Sequence, residues 1–396
     1  MDSTPHDDAS LLRDWGHAAP SELAGALDAL AAAGRPVRDL VTANPQEHGL
    51  AFDDRLLGDI LAAAARDART CRPNPAGQPA AREAVAAYHG DGLASSGVIL
   101  TPGTSFGYWA AFRLLADPPG GEVLCPSPTY PLFDDLARLA GLTVRRYHMH
   151  EEGGRWAIDP DELAFQVTPR TRAIAVVSPH NPTGSVASAD ELDALGRTAR
   201  RHGLAILFDE VFREFTHDAA VRVERPAPHG APLAVTLNGL SKMFSLPGLK
   251  GAWMAVEGDP ARTGPFLRAL EYLSDTFLPV SEPTQAAIPR LLAEGLGETR
   301  RFAAEYTRRM GDLVAAWRAE GVPAAMPQAG VYLPVGGCAP RPDDACLRLL
   351  RSTGILVHPG GLYDLPGNHV VMTAVARPPY PVREIAESLR RDAQAV

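Results

Sequence analysis

A lysine reached through a loop of small residues at the end of an apolar run is the first candidate for chemistry. Residues 233–238 read as a strand and pass into Gly239-Leu240-Ser241-Lys242, with Pro247-Gly248 closing the segment. Most lysines are solvated surface groups. One held in a concave site loses its charge more readily and can form an imine with a carbonyl compound. Two further polar groups punctuate strand ends upstream. Residues 204–208 end in Asp209-Glu210, an acid that is either a helix cap or a placed charge. Residues 172–177 run into Ser178-Pro179-His180-Asn181-Pro182-Thr183-Gly184. There two prolines and a glycine fix a turn that aims Asn181 over the sheet, a plain Asn-Pro turn being the alternative. A fourth element comes earlier: residues 98–100 lead into Thr101-Pro102-Gly103-Thr104-Ser105 and then a helix. The free N–H groups and dipole of a helix start suit an anion such as phosphate.

These side chains need a scaffold that brings strand ends together. Runs at 98–100, 122–125, 143–147, 172–177, 204–208, 233–238 and 251–256 read as strands, with helices at 106–116, 131–140 and 189–202 between them. Strands apolar on both faces and separated by helices predict an α/β fold: a mostly parallel, seven-stranded sheet flanked by helices. In such sheets ligands bind beyond the carboxyl ends of the strands, where the four elements fall. After residue 257 long helices follow (261–275, 283–294, 298–320), then strands near Val331 and Ile355 and a last helix from Pro381. The expected division is a loose arm over 1–20, a large domain over 51–275, and a smaller α+β domain from 21–50 and 276–396.

Composition narrows the function. The 396 residues carry a net charge of -9, against any role built on binding a phosphate backbone. No apolar run approaches the ~20 residues that span a bilayer, and the polar start Met1-Asp2-Ser3-Thr4-Pro5 lacks the features of a secretion signal. The 4 Cys (Cys71, Cys125, Cys338, Cys346) show no CxxC spacing, pointing to a reducing, cytoplasmic compartment without a metal cluster. His148-Met149-His150 reads as a solvated pair on a strand end. GxGxxG, GxxxxGK[ST], GxSxG and HExxH are absent.

A phosphate cradle, an amide, a carboxylate and a lysine, each at a strand's carboxyl end, are the parts that pyridoxal phosphate requires. The protein supplies a Schiff-base lysine and an acidic partner for the ring nitrogen. The chain in fact resembles, from about residue 40 to its end, the fold-type-I class I/II aminotransferases of the aspartate aminotransferase superfamily. The matching strings are Arg72-Pro73-Asn74-Pro75-Ala76-Gly77 followed by Ala81-Arg82-Glu83-Ala84-Val85, then Pro128-Thr129-Tyr130-Pro131 and Asn181-Pro182-Thr183-Gly184. Phe208-Asp209-Glu210-Val211-Phe212 and Ser241-Lys242 with Pro247-Gly248-Leu249-Lys250 complete the set.

The resemblance implies roles. Lys242 would carry the cofactor and shuttle the proton, Asp209 would pair with the pyridine nitrogen, and Asn181 would bond the ring hydroxyl oxygen. Tyr130 would stack near the ring, while Gly103, Thr104, Ser105, Ser241 and Lys250 would hold the phosphate. It also implies a homodimer with interface sites, acting on an amino acid or amine. Departures accompany it. Phe212 stands where relatives have a tyrosine that donates to the ring hydroxyl oxygen, and Lys250 replaces a common arginine. Arg72 takes the place of a tyrosine that reaches a neighbouring subunit's phosphate. Ala43 replaces a substrate-loop glycine beside Asn44-Pro45. The terminal strand His369-Val370-Val371-Met372-Thr373-Ala374 lacks the arginine that clamps the substrate carboxylate, leaving Arg377 as the candidate. Tyr108, Trp109, Phe212 and Tyr332 are candidates for an apolar pocket.

Transamination between an amino acid and a 2-oxo acid is the leading expectation. The alternative on the same scaffold is β-elimination from a cysteine conjugate or a decarboxylating deamination in secondary metabolism, since fold alone does not choose the reaction. A ligand sensor attached to a DNA-binding module has little room before the first helix.

Overall fold

The helix-forming segments carry their own start and stop signals. Ser188 accepts from the Glu191 N–H while Glu191 accepts from the Ser188 N–H at 2.7 Å, a reciprocal cap that opens the helix Ala189–His202. Gly203 at φ 69° ends it. With both signals present, expected and observed bounds coincide. Weaker signals shift the bounds by a residue or two: the helix expected at 106–116 is Thr104–Leu115, and that expected at 131–140 is Phe133–Ala140.

The computed structural model describes residues 21–90, 92–278, 280–337 and 341–391. The expected arm over 1–20 and Cys338 lie outside them. All seven expected strands form, in one sheet with an eighth. In sheet order they are Val98–Thr101, Ala252–Gly258, Leu233–Gly239, Ala205–Asp209, Thr171–Val177, Glu122–Ser127, Thr143–Glu152 and Arg155–Ile158. Neighbours from Leu233–Gly239 to Thr143–Glu152 pair in parallel. Ala252–Gly258 runs against both its neighbours.

The eighth strand corrects the expected count of seven. Thr143–Glu152 does not stop at Tyr147; it continues and turns back through Gly153 and Gly154, both at positive φ, to pair antiparallel with Arg155–Ile158. Two such glycines make the two-residue hairpin turn whose twist fits the strands. His148 and His150 are exposed there while Tyr147 and Met149 are buried, so this edge alternates instead of being apolar throughout.

Two buried clusters cover the sheet. One joins Phe112, Val123, Leu207, Val235 and Met254; the other joins Ile174, Val176, Phe208, Leu192 and Phe302. Each such side chain taken from water is worth ~1.5–3 kcal/mol, and this burial pins the register that sets which residues emerge at the strand ends.

Beyond the sheet, Tyr332–Val335, Val370–Thr373 and His358–Pro359 form a three-stranded antiparallel sheet. Arg38–Asp39 pairs in parallel with Ile355–Leu356. The segment after it is laced to the C-terminal strand, since the Thr373 N–H donates to the Leu40 carbonyl at 2.8 Å. Among the described residues no helix is long and apolar enough to cross a membrane, and no group of His, Cys, Asp or Glu is arranged to hold a metal.

Candidate active site

Asp209 closes the strand Ala205–Asp209, level with Val177 on one side and Leu237 on the other. Its carboxylate accepts from the Val211 N–H at 3.0 Å, so the chain turns away while the acid stays at the strand end. Burial pushes this carboxyl up to about 6, opposed by the Val211 N–H, the Tyr108 hydroxyl and the charge on Lys242.

Lys242 lies in a short helical turn, Leu240–Met243, directly after Leu233–Gly239. A side chain at Gly239 would place its Cβ 2.7 Å from Ala252, so glycine lets the lysine-bearing turn pack on the neighbouring strand. Burial lowers the pKa of Lys242, and the Asp209 carboxylate partly restores it. A lysine depressed in this way has an amine closer to its nucleophilic, neutral form.

Asn181 is 9% exposed, and its amide oxygen has no hydrogen-bond partner among the described residues. Its loop is clamped from below: Gly184 sits at φ 69°, where a Cβ would lie 2.4 Å from the Ala329 carbonyl. The Ala329 N–H donates to the Gly184 carbonyl at 2.9 Å.

All three line one cavity of about 400 Å³. Gly103, Thr104 and Ser105, at the start of Thr104–Leu115, form one end with Ser241 and Lys250. Lys250 has φ 51°, an unusual value for a residue with a Cβ, and it ends the turn Pro247–Leu249 just before the reversed strand. That strand begins at Ala252, itself a wall residue. Tyr130, Phe212 and Ala43 complete the expected lining.

The structure gathers most of the expected residues but not all. Arg377 is corrected: its Nε donates to the His48 carbonyl at 2.7 Å, away from the cavity, because the chain leaves the strand Val370–Thr373 towards the turn Pro45–His48. Asn44 is exposed beside Ala43 and does not line the cavity. Arg72 is likewise exposed and outside the cavity of its own chain, its backbone N–H facing Glu282. Trp109 turns from the pocket to pack on Phe106 and Phe277, each 5.5 Å between ring centroids. Tyr108 and Tyr332 do line it. Sequence reasoning missed Leu132 and Phe133, the cap and first residue of the helix Phe133–Ala140, which contribute apolar wall. It also missed Gln46, whose side-chain amide donates to the Ser245 carbonyl and ties the Ala43 segment to the lysine loop. Helical or loop spacing gives no signal for such contacts across 199 residues.

The parts suit pyridoxal phosphate. An amide whose oxygen is unpartnered among the described residues and a carboxylate meet a lysine, and hydroxyls, a second lysine and the start of the helix Thr104–Leu115 suit a dianion. Among the lining residues the cations are Lys242 and Lys250.

Comparison with known proteins agrees with this geometry. The sequence model for "Aminotransferase class I and II" matches residues 25–378. An alanine aminotransferase of Mycobacterium bovis is 35% identical over 169 residues, 43% of this chain and 39% of that protein. A glutamate–pyruvate aminotransferase of Haemophilus influenzae is 30% identical over 263 residues, 65% of this chain and 64% of that protein. The matches thus span roughly two-fifths to two-thirds of these relatives' length. The fold is shared with an alanine aminotransferase of Pyrococcus furiosus, with TM-score 0.83, 21% identity, and 95% and 96% of the two chains covered. It is shared also with aspartate aminotransferase of Thermus thermophilus with maleate, with TM-score 0.78, 26% identity, and 95% of each chain covered. A match over most of its length, on a chain whose strand ends assemble this cavity, makes the protein a member of the class I and II aminotransferase family.

Proposed function

We propose that this protein is a pyridoxal-phosphate-dependent aminotransferase that moves an amino group between an amino acid and a 2-oxo acid. The observation that carries the reading is the convergence of Lys242, Asp209 and Asn181 on one cavity from three adjacent strand ends. The bound cofactor would supply an electron sink conjugated to the substrate's Cα.

The chain's own residues would do the rest. Lys242, with its amine biased towards neutrality, would hold the cofactor at its carbonyl carbon and would take and return the proton at Cα. Asp209, ionised above about pH 6, keeps a proton on the pyridine nitrogen. Asn181 would hold the ring oxygen, Tyr130 would stand near the ring, and the apolar walls of Val177, Val211 and Phe212 would exclude water. Thr104, Ser105, Ser241 and Lys250 hold the phosphate, with Gly103 leaving room for it. Ala43 approaches from the substrate side.

The exposed position of Arg72 fits a homodimer in which this side chain serves the neighbouring subunit's phosphate end. The acidic composition and the lack of a spanning helix among the described residues favour a cytoplasmic enzyme.

The test is half-transamination with the purified, reconstituted protein and a panel of amino acids. Pyridoxamine phosphate and the matching 2-oxo acid are expected. Pyruvate and thiol released from cysteine conjugates, with no aminated cofactor from any amine, would replace the reading with elimination.

A further inference from the structure

The phenol of Tyr108 is a buried polar group to which the proposed reaction gives no task. It projects from Thr104–Leu115, one turn beyond the residues that form the cavity's anion end, and is 2% exposed. Its ring is wedged between Phe112, at 5.8 Å between centroids, and Phe133, edge-on at 5.2 Å. The hydroxyl therefore cannot swing out to water. It makes no regular hydrogen bond to any described residue, a state that buried hydroxyls seldom tolerate.

The acceptor beside it is the Asp209 carboxylate, which lines the same cavity. The groups around this pair come from four elements. The Val211 N–H bonds the carboxylate from the chain that follows it. Lys242 faces it from the turn after Leu233–Gly239. Cys125 and Tyr147 approach Tyr108 from the strands Glu122–Ser127 and Thr143–Glu152. Burial pushes the thiol and the Tyr147 phenol up, so both stay neutral. Lys242 is then the one cation acting on Asp209 among these neighbours, and it is the group the reaction uses. Once its amine is engaged, the Val211 N–H serves one carboxylate oxygen, and the other needs a second donor that does not leave.

We propose that Tyr108 is the positioning residue of Asp209, donating its O–H to the carboxylate so that the acid stays ionised and fixed in orientation at the strand end. What Asp209 then meets rests on the cofactor proposed above; the Tyr108–Asp209 contact does not.

The experiment follows the Asp209 carboxyl by infrared difference spectroscopy across pH. It uses the full-length chain stripped of any cofactor, with Asp209→Asn as the spectral blank. Tyr108→Phe keeps the ring and removes the donor, and should raise the midpoint of the carboxyl by about one pH unit, the scale of one charge-assisted hydrogen bond. Placing 3-fluorotyrosine at position 108 makes the donor more acidic and should lower the midpoint. A purely structural role for the ring would move neither value. Unchanged midpoints in both chains would overturn the proposal, and should Tyr108→Phe fail to fold, an unchanged midpoint in the fluorinated chain does so alone. Midpoints that move as expected in a chain that takes up no pyridoxal phosphate would uphold the contact while sinking the cofactor assignment.

Discussion

Arg309 and Arg377 donate to the same oxygen, the His48 carbonyl, at 2.9 and 2.7 Å. They differ in what surrounds them. Arg309 is 4% exposed and also donates to the Val375 carbonyl and to Glu305, whereas Arg377 is exposed. The buried arginine therefore pins the exit of the C-terminal strand to the turn beside Ala43. Arg309→Ala should cost about 2–4 kcal/mol, because two carbonyls and a carboxylate lose a charged donor. Arg377→Ala should change stability by less than about 0.5 kcal/mol and leave turnover near that of the unaltered enzyme. Chemical denaturation and steady-state kinetics on the two variants check both statements. A tenfold rise in KM for the Arg377 variant would restore its expected place in substrate binding.

Asp209 makes cofactor-free stability depend on pH in a defined direction. The carboxyl sits at about 6 in the folded chain against about 4 when unfolded. Between those values the folded chain binds more protons, so its stability falls as pH rises through this window and the penalty is complete above it. Asp209→Asn removes the penalty. Its melting temperature, measured without cofactor, should exceed that of the unaltered chain at pH 8 by the equivalent of about 1 kcal/mol or more. The difference should vanish near pH 4.

Lys242→Ala should abolish turnover and the visible absorption of the reconstituted protein. Borohydride treatment of the unaltered protein should fix the cofactor on the peptide that carries Lys242, read by its mass. Label on Lys250, the other of the chain's two lysines, would contradict the proposed assignment.

Gly184→Ala tests the clamp under Asn181. The position combines φ 69° with a carbonyl where the new methyl must go. A loss of about 1–3 kcal/mol is expected from the backbone strain, with weakened cofactor affinity as the Asn181 loop moves. Wild-type stability would show that the loop relaxes freely.

Phe212 packs edge-on against Tyr332 at 6.2 Å between centroids and is 5% exposed. Phe212→Tyr adds a donor towards the ring oxygen end of the site. The pH midpoint of the visible band should move down, since a hydrogen bond to an anionic oxygen favours its ionised form.

Much of this site could be read before any coordinates. Lys242, Asp209 and Asn181 each follow an apolar run by no more than a few residues, and a buried parallel sheet leaves such positions one place to go. Register does the rest, since Val177, Asp209 and Leu237 lie level. Arg377 defeated the same logic because it lies four residues past the end of Val370–Thr373. There the pleat no longer dictates direction and an oxygen on a distant turn captures the side chain. Tyr108 was legible as a pocket residue but not as a partner of Asp209, because helical spacing says which face a residue takes and not what stands opposite. The strand Arg155–Ile158 escaped notice because Glu151-Glu152-Gly153-Gly154-Arg155 is polar; at an outer edge of a sheet one face meets water.

The reversed direction of Ala252–Gly258 has a bearing on how this chain tolerates change. Ala252 is level with both Thr101 and Gly239, so the chain leaves the rim at Gly239 and is back on it thirteen residues later. Both amines hang from that single excursion. Adding or removing one residue within 243–249 would slip Ala252 against two partners at once and send alternate side chains, Trp253 and Met254 among them, to opposite faces. The interval between Lys242 and Lys250 therefore behaves as a fixed ruler.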